Sequence, residues 1–528
     1  MWQYNAIFGR KSRLIRIVFH HSSWKPPVSV ARSSTEASQD SQTSYLPVAF
    51  WGMLAMTAAV RLIGITRPLL GNFSAKSVIY AMIARNWAEG RAGFLYPSLD
   101  CLVGGKRSLH MLECSVSAYL TGSLWRLFGG SLDVWGRATA VVFSTASVAV
   151  LFLFVRRRHG PAAALGAGWV LALSPISIIY GQSFMLDASL VFFTVSTFYA
   201  ADRWLDGGRS AWLLAAMVCF ALLLLTKIYM MVLLLPLGVM LLGAERRGWR
   251  AWSLGLLAAG LAVVPVALWS IHALHTASPG SPMAGHIYSS LQGNARVYRP
   301  PDPLLWTPDF YRQLLDDLTG VILTPVAFML FLAGWLDRAW RQYAFWFLAM
   351  AILVALLPLK FYEMNYYFMA TLPPLCIVAG LGWRVVSRRL RPGRLAVAGL
   401  LLVGLAVAFR YALRPAFVTP DEDRGVVAAG LVIRQLTAEE EPVVTMHGTA
   451  IDLLYYCNRP GWAVAPDTPE LDSLLDDYRR RGARYMVVAG PEATGVGIAP
   501  FGAQKPLVCG DGFCVYPLVA AEGRSGVP

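Results

Sequence analysis

Apolar runs of about 20 residues recur along this chain between short clusters of arginine, and a bilayer is the solvent that imposes such a spacing. The runs lie near 46–64, 134–155, 161–180, 184–202, 209–226, 228–243, 252–272, 319–336, 343–359, 366–384 and 394–412, which predicts about eleven membrane-crossing helices. Composition agrees with this. The 528 residues are 56% hydrophobic and 15% charged, with a mean hydropathy of +0.50, too apolar for a soluble enzyme. A formal charge of +15 suits nucleic acid only when the charge is gathered on one face. Here it is dispersed between apolar runs, so the expected partner is the lipid bilayer and not nucleic acid.

The basic clusters fall after every second run: Arg156, Arg157 and Arg158; Arg203 and Arg209; Arg246, Arg247 and Arg250; Arg338 and Arg341; then Arg388, Arg389, Arg391 and Arg394. The positive-inside rule makes these connections and the amino terminus cytoplasmic. The other connections then face outward, and the chain is expected in the inner (cell) membrane as a multi-pass protein. Three outward stretches are long or chemically rich: 71–130, 273–318 with His275, His286, Arg296 and Tyr298, and the turn from Lys360 to Tyr367. The inner connections are short and basic, so chemistry belongs to the outer face.

Residues 71–130 form the least ordinary stretch. Tyr80, Ile83, Ala84 and Trp87 recur at helical spacing while Lys76, Arg85 and Glu89 take other faces, which predicts a helix lying along the membrane surface. From His110 to Phe128 the chain is mostly apolar yet carries Glu113 and Arg126, and it is expected to dip into the interface.

Residues 1–45 differ from all that follows, being basic and then Ser/Thr-rich without apolar periodicity, and they read as a flexible arm. A transit peptide, a cytoplasmic tail and a start placed too early are all compatible with that composition. The membrane domain is assigned to 46–413. Residues 414–528 read as an outward-facing α/β domain: strand-like 442–446 and 483–488 alternate with helix-like 425–437 and 469–481. After Arg414 this part holds 15 acids against 9 basic residues, an asymmetry that fits an outward tail. The seven cysteines make no metal pattern, and no divalent metal is indicated. Cys509 and Cys514 either close a small disulfide loop or remain free thiols.

Charged groups beside apolar runs are the best functional candidates, because each is costly to place there. Asp187 opens the fourth run, Lys227 stands between the fifth and sixth, and Glu113 and Arg137 flank the second. The predicted topology puts all four at the outer side. Each has a structural alternative: Arg137 snorkelling to headgroups, Asp187 capping a helix, Lys227 occupying a turn. Glu113 resists one, since no basic partner follows it at i+3 or i+4.

The order of IARN, LYPSLD, a loop acid, LFGG, WGRATAV, RRRHG, SPISIIYGQSFMLD, LLTK and NYYFMATLPPL resembles that of polytopic GT-C glycosyltransferases. It is similar in particular to the bacterial branch of lipopolysaccharide-core galacturonosyltransferases, lipid A aminoarabinose transferase and protein O-mannosyltransferases. The resemblance spans roughly residues 45–490 and continues into LLYYCNRPGW and GARYMVV. It implies a mainly α, GT-C-like transmembrane bundle that moves a sugar, with inversion, from a polyprenyl-phosphate carrier to a glycolipid or protein acceptor. It implies no nucleotide sugar and no Rossmann fold. By motif, Glu113 falls at the loop acid, Asp187 at the acid opening the fourth span, and Lys227 and Lys360 at phosphate-side basic positions. This chain departs from the pattern where Lys76 and Ser77 replace an Asp or Asp-Glu pair, and where Cys114 and Ser115 follow Glu113.

The chemistry needs few groups. A base must take the proton of an acceptor hydroxyl or amine, and cations must hold the departing phosphate. Glu113, Asp187 and Asp100 are the candidate bases, and Lys227, Lys360, Lys76, Arg85 and Arg137 the candidate anion holders. Tyr366 and Tyr367, like Trp87, Tyr96 and Tyr362, suit either sugar stacking or an interfacial aromatic belt. Two other classes compete: a transporter or lipid flippase, which internal repeats would favour but the sequence lacks, and a non-catalytic envelope scaffold.

Overall fold

The computed structural model describes residues 36–71, 73–243, 248–276, 303–389, 414, 417–448, 450–465, 468, 470–493 and 505–518. Most of the expected amino-terminal arm, the apolar run at 394–412, and His286, Arg296 and Tyr298 lie outside them.

The described residues begin with α1 (Glu36–Leu62), α2 (Ser74–Ala88), a hairpin of β1 (Ser98–Val103) and β2 (Lys106–Leu109), and α3 (Val116–Phe128). A helical bundle follows: α4 (Leu132–His159), α5 (Pro161–Leu173), α6 (Pro175–Tyr180), α7 (Asp187–Gly207), α8 (Ser210–Thr226), α9 (Leu234–Leu242), α10 (Gly248–Thr276), α11 (Pro308–Asp317), α12 (Pro325–Gly334), α13 (Ala344–Leu356), α14 (Pro358–Glu363) and α15 (Leu372–Arg389). The last part contains α16 (Val426–Leu436), β3 (Val443–Met446), α17 (Ala450–Cys457), β4 (Gly461–Val464), α18 (Leu471–Arg480), β5 (Tyr485–Ala489), β6 (Val508–Gly510) and β7 (Phe513–Pro517).

The predicted apolar runs that fall on described residues become helices, but several are broken. Four helices among the described residues are long and apolar enough to cross a membrane: Leu132–His159, Trp249–Thr276, Arg338–Leu356 and Asn365–Arg389. A fifth is gained if Pro308–Ile322 and Pro325–Gly334, bent by 106°, count as one. The runs at 46–64, 161–180, 209–226 and 228–243 give only shorter apolar helices. The breaks have local causes. Pro175 ends α5 at Ser174, whose hydroxyl accepts the Ser177 N–H, and the extended backbone of Lys227 interrupts α8 before a 3-10 turn, Ile228–Leu233. Within the bundle α15 packs against α5 and α12 at near backbone distance: a Cβ on Gly380 would stand 2.4 Å from the Ala163 carbonyl oxygen.

The segment 71–130 differs from expectation in two respects. Its first helix, α2, forms as predicted, and it is enclosed by protein: α3, β1 and α17 cover Val78 to Asn86. Its middle is a hairpin turning at Gly104 and Gly105, whose φ values of 56° and 78° suit glycine. That hairpin joins the carboxy-terminal strands in one seven-stranded sheet of order β2-β1-β4-β3-β5-β7-β6. Cys101 pairs with Gly461 in parallel, β4, β3 and β5 run parallel, and β7 and β6 close antiparallel with a Cys509–Cys514 disulfide. The expected α/β pattern of residues 414–528 is present, and its sheet extends into the first long loop. One apolar core accordingly runs from Val78 and Ile83 of α2 through Leu99 to Val426, Leu453 and Val487.

Candidate active site

Four separate parts of the chain deliver ionisable side chains to one place. Lys76 and Tyr80 stand one turn apart on α2, and the link from β2 to α3 carries His110 and Glu113. Asp187 is the first residue of α7, and Lys227 the residue at which α8 ends. The backbone N–H of Cys114 donates to the Leu225 carbonyl over 3.1 Å, which holds the Glu113 link against the end of α8. Lys227 Nζ donates to Glu113 Oε1, and His110 Nε2 lies 3.2 Å from Glu113 Oε2. Glu113 therefore finds its cationic partner far along the chain, where no i+3 or i+4 count could place it. Glu113, Asp187 and Lys227 are all nearly inaccessible to solvent.

Asp187 completes the group. Glu113, Lys227 and Lys76 all act on its carboxyl, and its Oδ1 has no hydrogen-bond partner among the described residues. Lys76 faces Glu113, Asp187, Lys227 and Lys360, and burial followed by its lysine neighbours pushes its ammonium below the ordinary range. The side chains of Lys76 and Lys360 make no ion pair or hydrogen bond among the described residues. Burial alone would raise the Glu113 carboxyl, but Lys227, Lys76 and the His110 hydrogen bond outweigh it and hold the group well below the usual carboxylate range. Aromatic rings form one wall. Tyr366 and Tyr367, on the 3-10 turn Asn365–Thr371, have centroids 5.0 Å apart, Tyr229 lies 5.4 Å from Tyr367, and Phe73 meets Tyr366 edge-on at 5.1 Å.

Three other candidates stand apart from this group. Arg85 Nη2 donates to Asp100 Oδ2 over 2.6 Å, Arg107 Nε reaches Asp100 Oδ1 at 3.3 Å, and Arg85 Nη1 donates to the Tyr455 carbonyl over 3.0 Å. This network joins α2 to the shared sheet and to α17, and it leaves Asp100 tied to two guanidinium groups. Arg137 does not snorkel: buried, it donates to the carbonyls of Pro68 (2.8 Å), Arg67 (3.2 Å) and Gln182 (3.3 Å), beside a small polar cavity lined by Ser74, Ser77 and Ser183. The charged groups acting on it are Arg67 and Asp133. Sequence reasoning missed His110, Tyr80 and Tyr229. Only His110 left a signal, three residues before the loop acid.

Nearby, Asp423 Oδ2 accepts the Gly71 N–H over 2.8 Å, and the Tyr456 hydroxyl accepts the Leu69 N–H over 2.6 Å. The carboxy-terminal part thus pins the turn that leads into α2 and so fixes where Lys76 and Tyr80 stand. No group of three or more His, Cys, Asp or Glu side chains among the described residues could hold a metal ion.

A bundle that gathers acids, lysines and tyrosines at the loop ends and caps them with a mixed sheet has the fold of polytopic GT-C glycosyltransferases. Residues 114–272 match the family described as dolichyl-phosphate-mannose-protein mannosyltransferase. The apo structure of ArnT from Cupriavidus metallidurans superposes with a TM-score of 0.62 at 18% identity, over 91% of this chain and 98% of that one. ArnT bound to undecaprenyl phosphate gives 0.59 at 17% identity, over 91% and 99%. The archaeal oligosaccharyltransferase AglB from Archaeoglobus fulgidus, in complex with an inhibitory peptide and a dolichol-phosphate, gives 0.50 at 13% identity, over 84% and 70%. No curated protein matches the sequence.

Proposed function

We propose that this protein is an inverting membrane glycosyltransferase that moves a sugar from a polyprenyl-phosphate carrier to a glycolipid or protein of the cell envelope, at the outer face of the inner membrane. The observation that carries the reading is the pairing state of the clustered charges. Lys76 and Lys360 act on one another's surroundings and neither makes an ion pair or hydrogen bond among the described residues, an arrangement that like charges in a half-buried site tolerate best when an anion sits near them. A carrier phosphate is such an anion, and ArnT and AglB have been captured with polyprenyl-type phosphates.

The same pairing state separates the three acids. Asp100 is held by Arg85 and Arg107, and both oxygens of Glu113 are engaged by Lys227 and His110. Asp187 keeps an unpartnered oxygen and is the base. It takes the proton of the acceptor hydroxyl or amine while the acceptor atom bonds to the anomeric carbon. The carbon–oxygen bond to phosphate breaks, and the electron pair leaves on the phosphate held by Lys76 and Lys360, with Lys227 adding positive charge. Attack from the side opposite the phosphate inverts the anomeric centre. The half-buried Tyr367, backed by the buried Tyr366, is the ring placed to meet the sugar.

An outward site agrees with the arginine-rich connections at the other ends of the helices and with the Cys509–Cys514 disulfide, which suits an oxidising compartment. Mass spectrometry of envelope glycolipids and glycoproteins from a deletion strain and its parent tests the function. One sugar modification should vanish and return with the wild-type gene but not with Asp187→Asn. Identical profiles in the two strains would overturn the assignment.

A further inference from the structure

His110 has no role in the reading above except as a neighbour of Glu113, yet its surroundings are specific. The ring is 1% exposed, Nε2 lies 3.2 Å from Glu113 Oε2, and Nδ1 is buried with no hydrogen-bond partner among the described residues. An ionised carboxylate only accepts, so the proton of a neutral imidazole belongs on Nε2. A second proton on Nδ1 would find no acceptor. The charged and titratable groups facing the ring are Glu113 on its own link, Lys76 and Tyr80 on α2, and Lys227 at the end of α8. Burial, aided by the two lysines, pushes His110 below the ordinary imidazole range, so the neutral form holds at neutral pH.

A neutral donor on Oε2 leaves Oε1 to Lys227 and fixes the carboxylate plane. Without it Glu113 can rotate, and Lys227, the cation shared between Glu113 and Asp187, loses its position. We propose that His110 is a positioning residue that acts through Glu113 to hold Lys227 beside Asp187. The inference rests on the transferase reading and goes beyond it, because nothing in the motif order of this chain marks a histidine at that place.

The test measures two things on one set of variants: the envelope sugar modification lost in the deletion strain, and binding of undecaprenyl phosphate to purified protein by thermal shift. His110→Ala should lower the modification rate about tenfold with undecaprenyl phosphate binding retained, and His110→Gln, which keeps an N–H donor, should recover most of it. In a Glu113→Gln background, adding His110→Ala should change the rate by less than about twofold, because residues acting as one unit are not additive. Multiplicative losses in the double variant, a rate for His110→Ala equal to wild type, or a loss confined to undecaprenyl phosphate binding would each overturn the proposal. A deletion strain that loses no modification would instead refute the transferase reading.

Discussion

Gly122 offers a sharp perturbation because it sits where α3 crosses α2 at backbone contact. A Cβ at this position would lie 2.3 Å from the Ala84 carbonyl oxygen and 3.0 Å from its carbon, whereas ordinary contact begins at 3.4 Å. The obstacle is backbone, so no side-chain rotation relieves it, and Gly122→Ala must part the helices by about 1 Å. Overpacking of that kind destabilises by about 1–3 kcal/mol, which lowers the melting temperature of the detergent-solubilised protein by a few degrees. Activity should suffer more than stability. Ala84 lies two turns beyond Lys76 and one turn beyond Tyr80 on the same helix, and a displacement of about 1 Å in a positioned group costs on the order of 100-fold in rate. Gly93→Ala is the control, since nothing lies within 4 Å of its Cβ. If Gly122→Ala matched Gly93→Ala in both melting temperature and transfer, the α2–α3 crossing would not position the site.

Three further outcomes follow from the same geometry. Removing Arg85 strips the partner from Oδ2 of Asp100, 1% exposed, and leaves Arg107 and Asn86 on Oδ1 alone, so Arg85→Ala should destabilise the joint between α2 and the sheet by about 3 kcal/mol, read as earlier proteolysis of residues 417–518. Asp452 is buried with Ser74 beside its carboxyl and no cation paired with it among the described residues, and burial raises that carboxyl well above the usual range. The folded state then keeps a proton that the unfolded chain releases near pH 4, so the carboxyl reduces stability at neutral pH. Asp452→Asn should accordingly melt higher than wild type at pH 7, and the gap should close as the pH falls below about 4. Lys76→Ala and Lys360→Ala should each weaken undecaprenyl phosphate binding about tenfold in a thermal-shift titration, while Lys76→Asp should weaken it further by placing a third carboxylate beside Glu113 and Asp187.

Much of this was legible in the sequence because hydropathy and charge are local signals. The apolar runs, the α2 helix and the β3, β5, α16 and α18 pattern were each written in a window of a few residues. The convergence of Glu113, Asp187 and Lys227 was legible too, through the arginine clusters that place all three at one end of the helices. Pairing partners were not, because they are set by tertiary approach: Lys227 neutralises Glu113 and Arg85 neutralises Asp100, and no periodicity encodes either. Helix length failed for the opposite reason. A run of 20 apolar residues reads the same whether it is one helix or two pieces parted at Pro175. The β1–β2 hairpin carried its Gly104-Gly105 turn signal, but helical periodicity on either side of it dominated the reading of that loop.

The central claim is that a carrier phosphate leaves from Lys76 and Lys360 while Asp187 takes the proton. It is tested most directly by incubating purified protein with polyprenyl-phosphate-linked sugar and envelope extract from the deletion strain, and following release of free polyprenyl phosphate. Wild type should release it as the acceptor is modified, and Asp187→Asn should slow release by about 100-fold or more while still binding undecaprenyl phosphate. Release by Asp187→Asn at the wild-type rate, or its abolition by Glu113→Gln with Asp187→Asn fully active, would contradict the account.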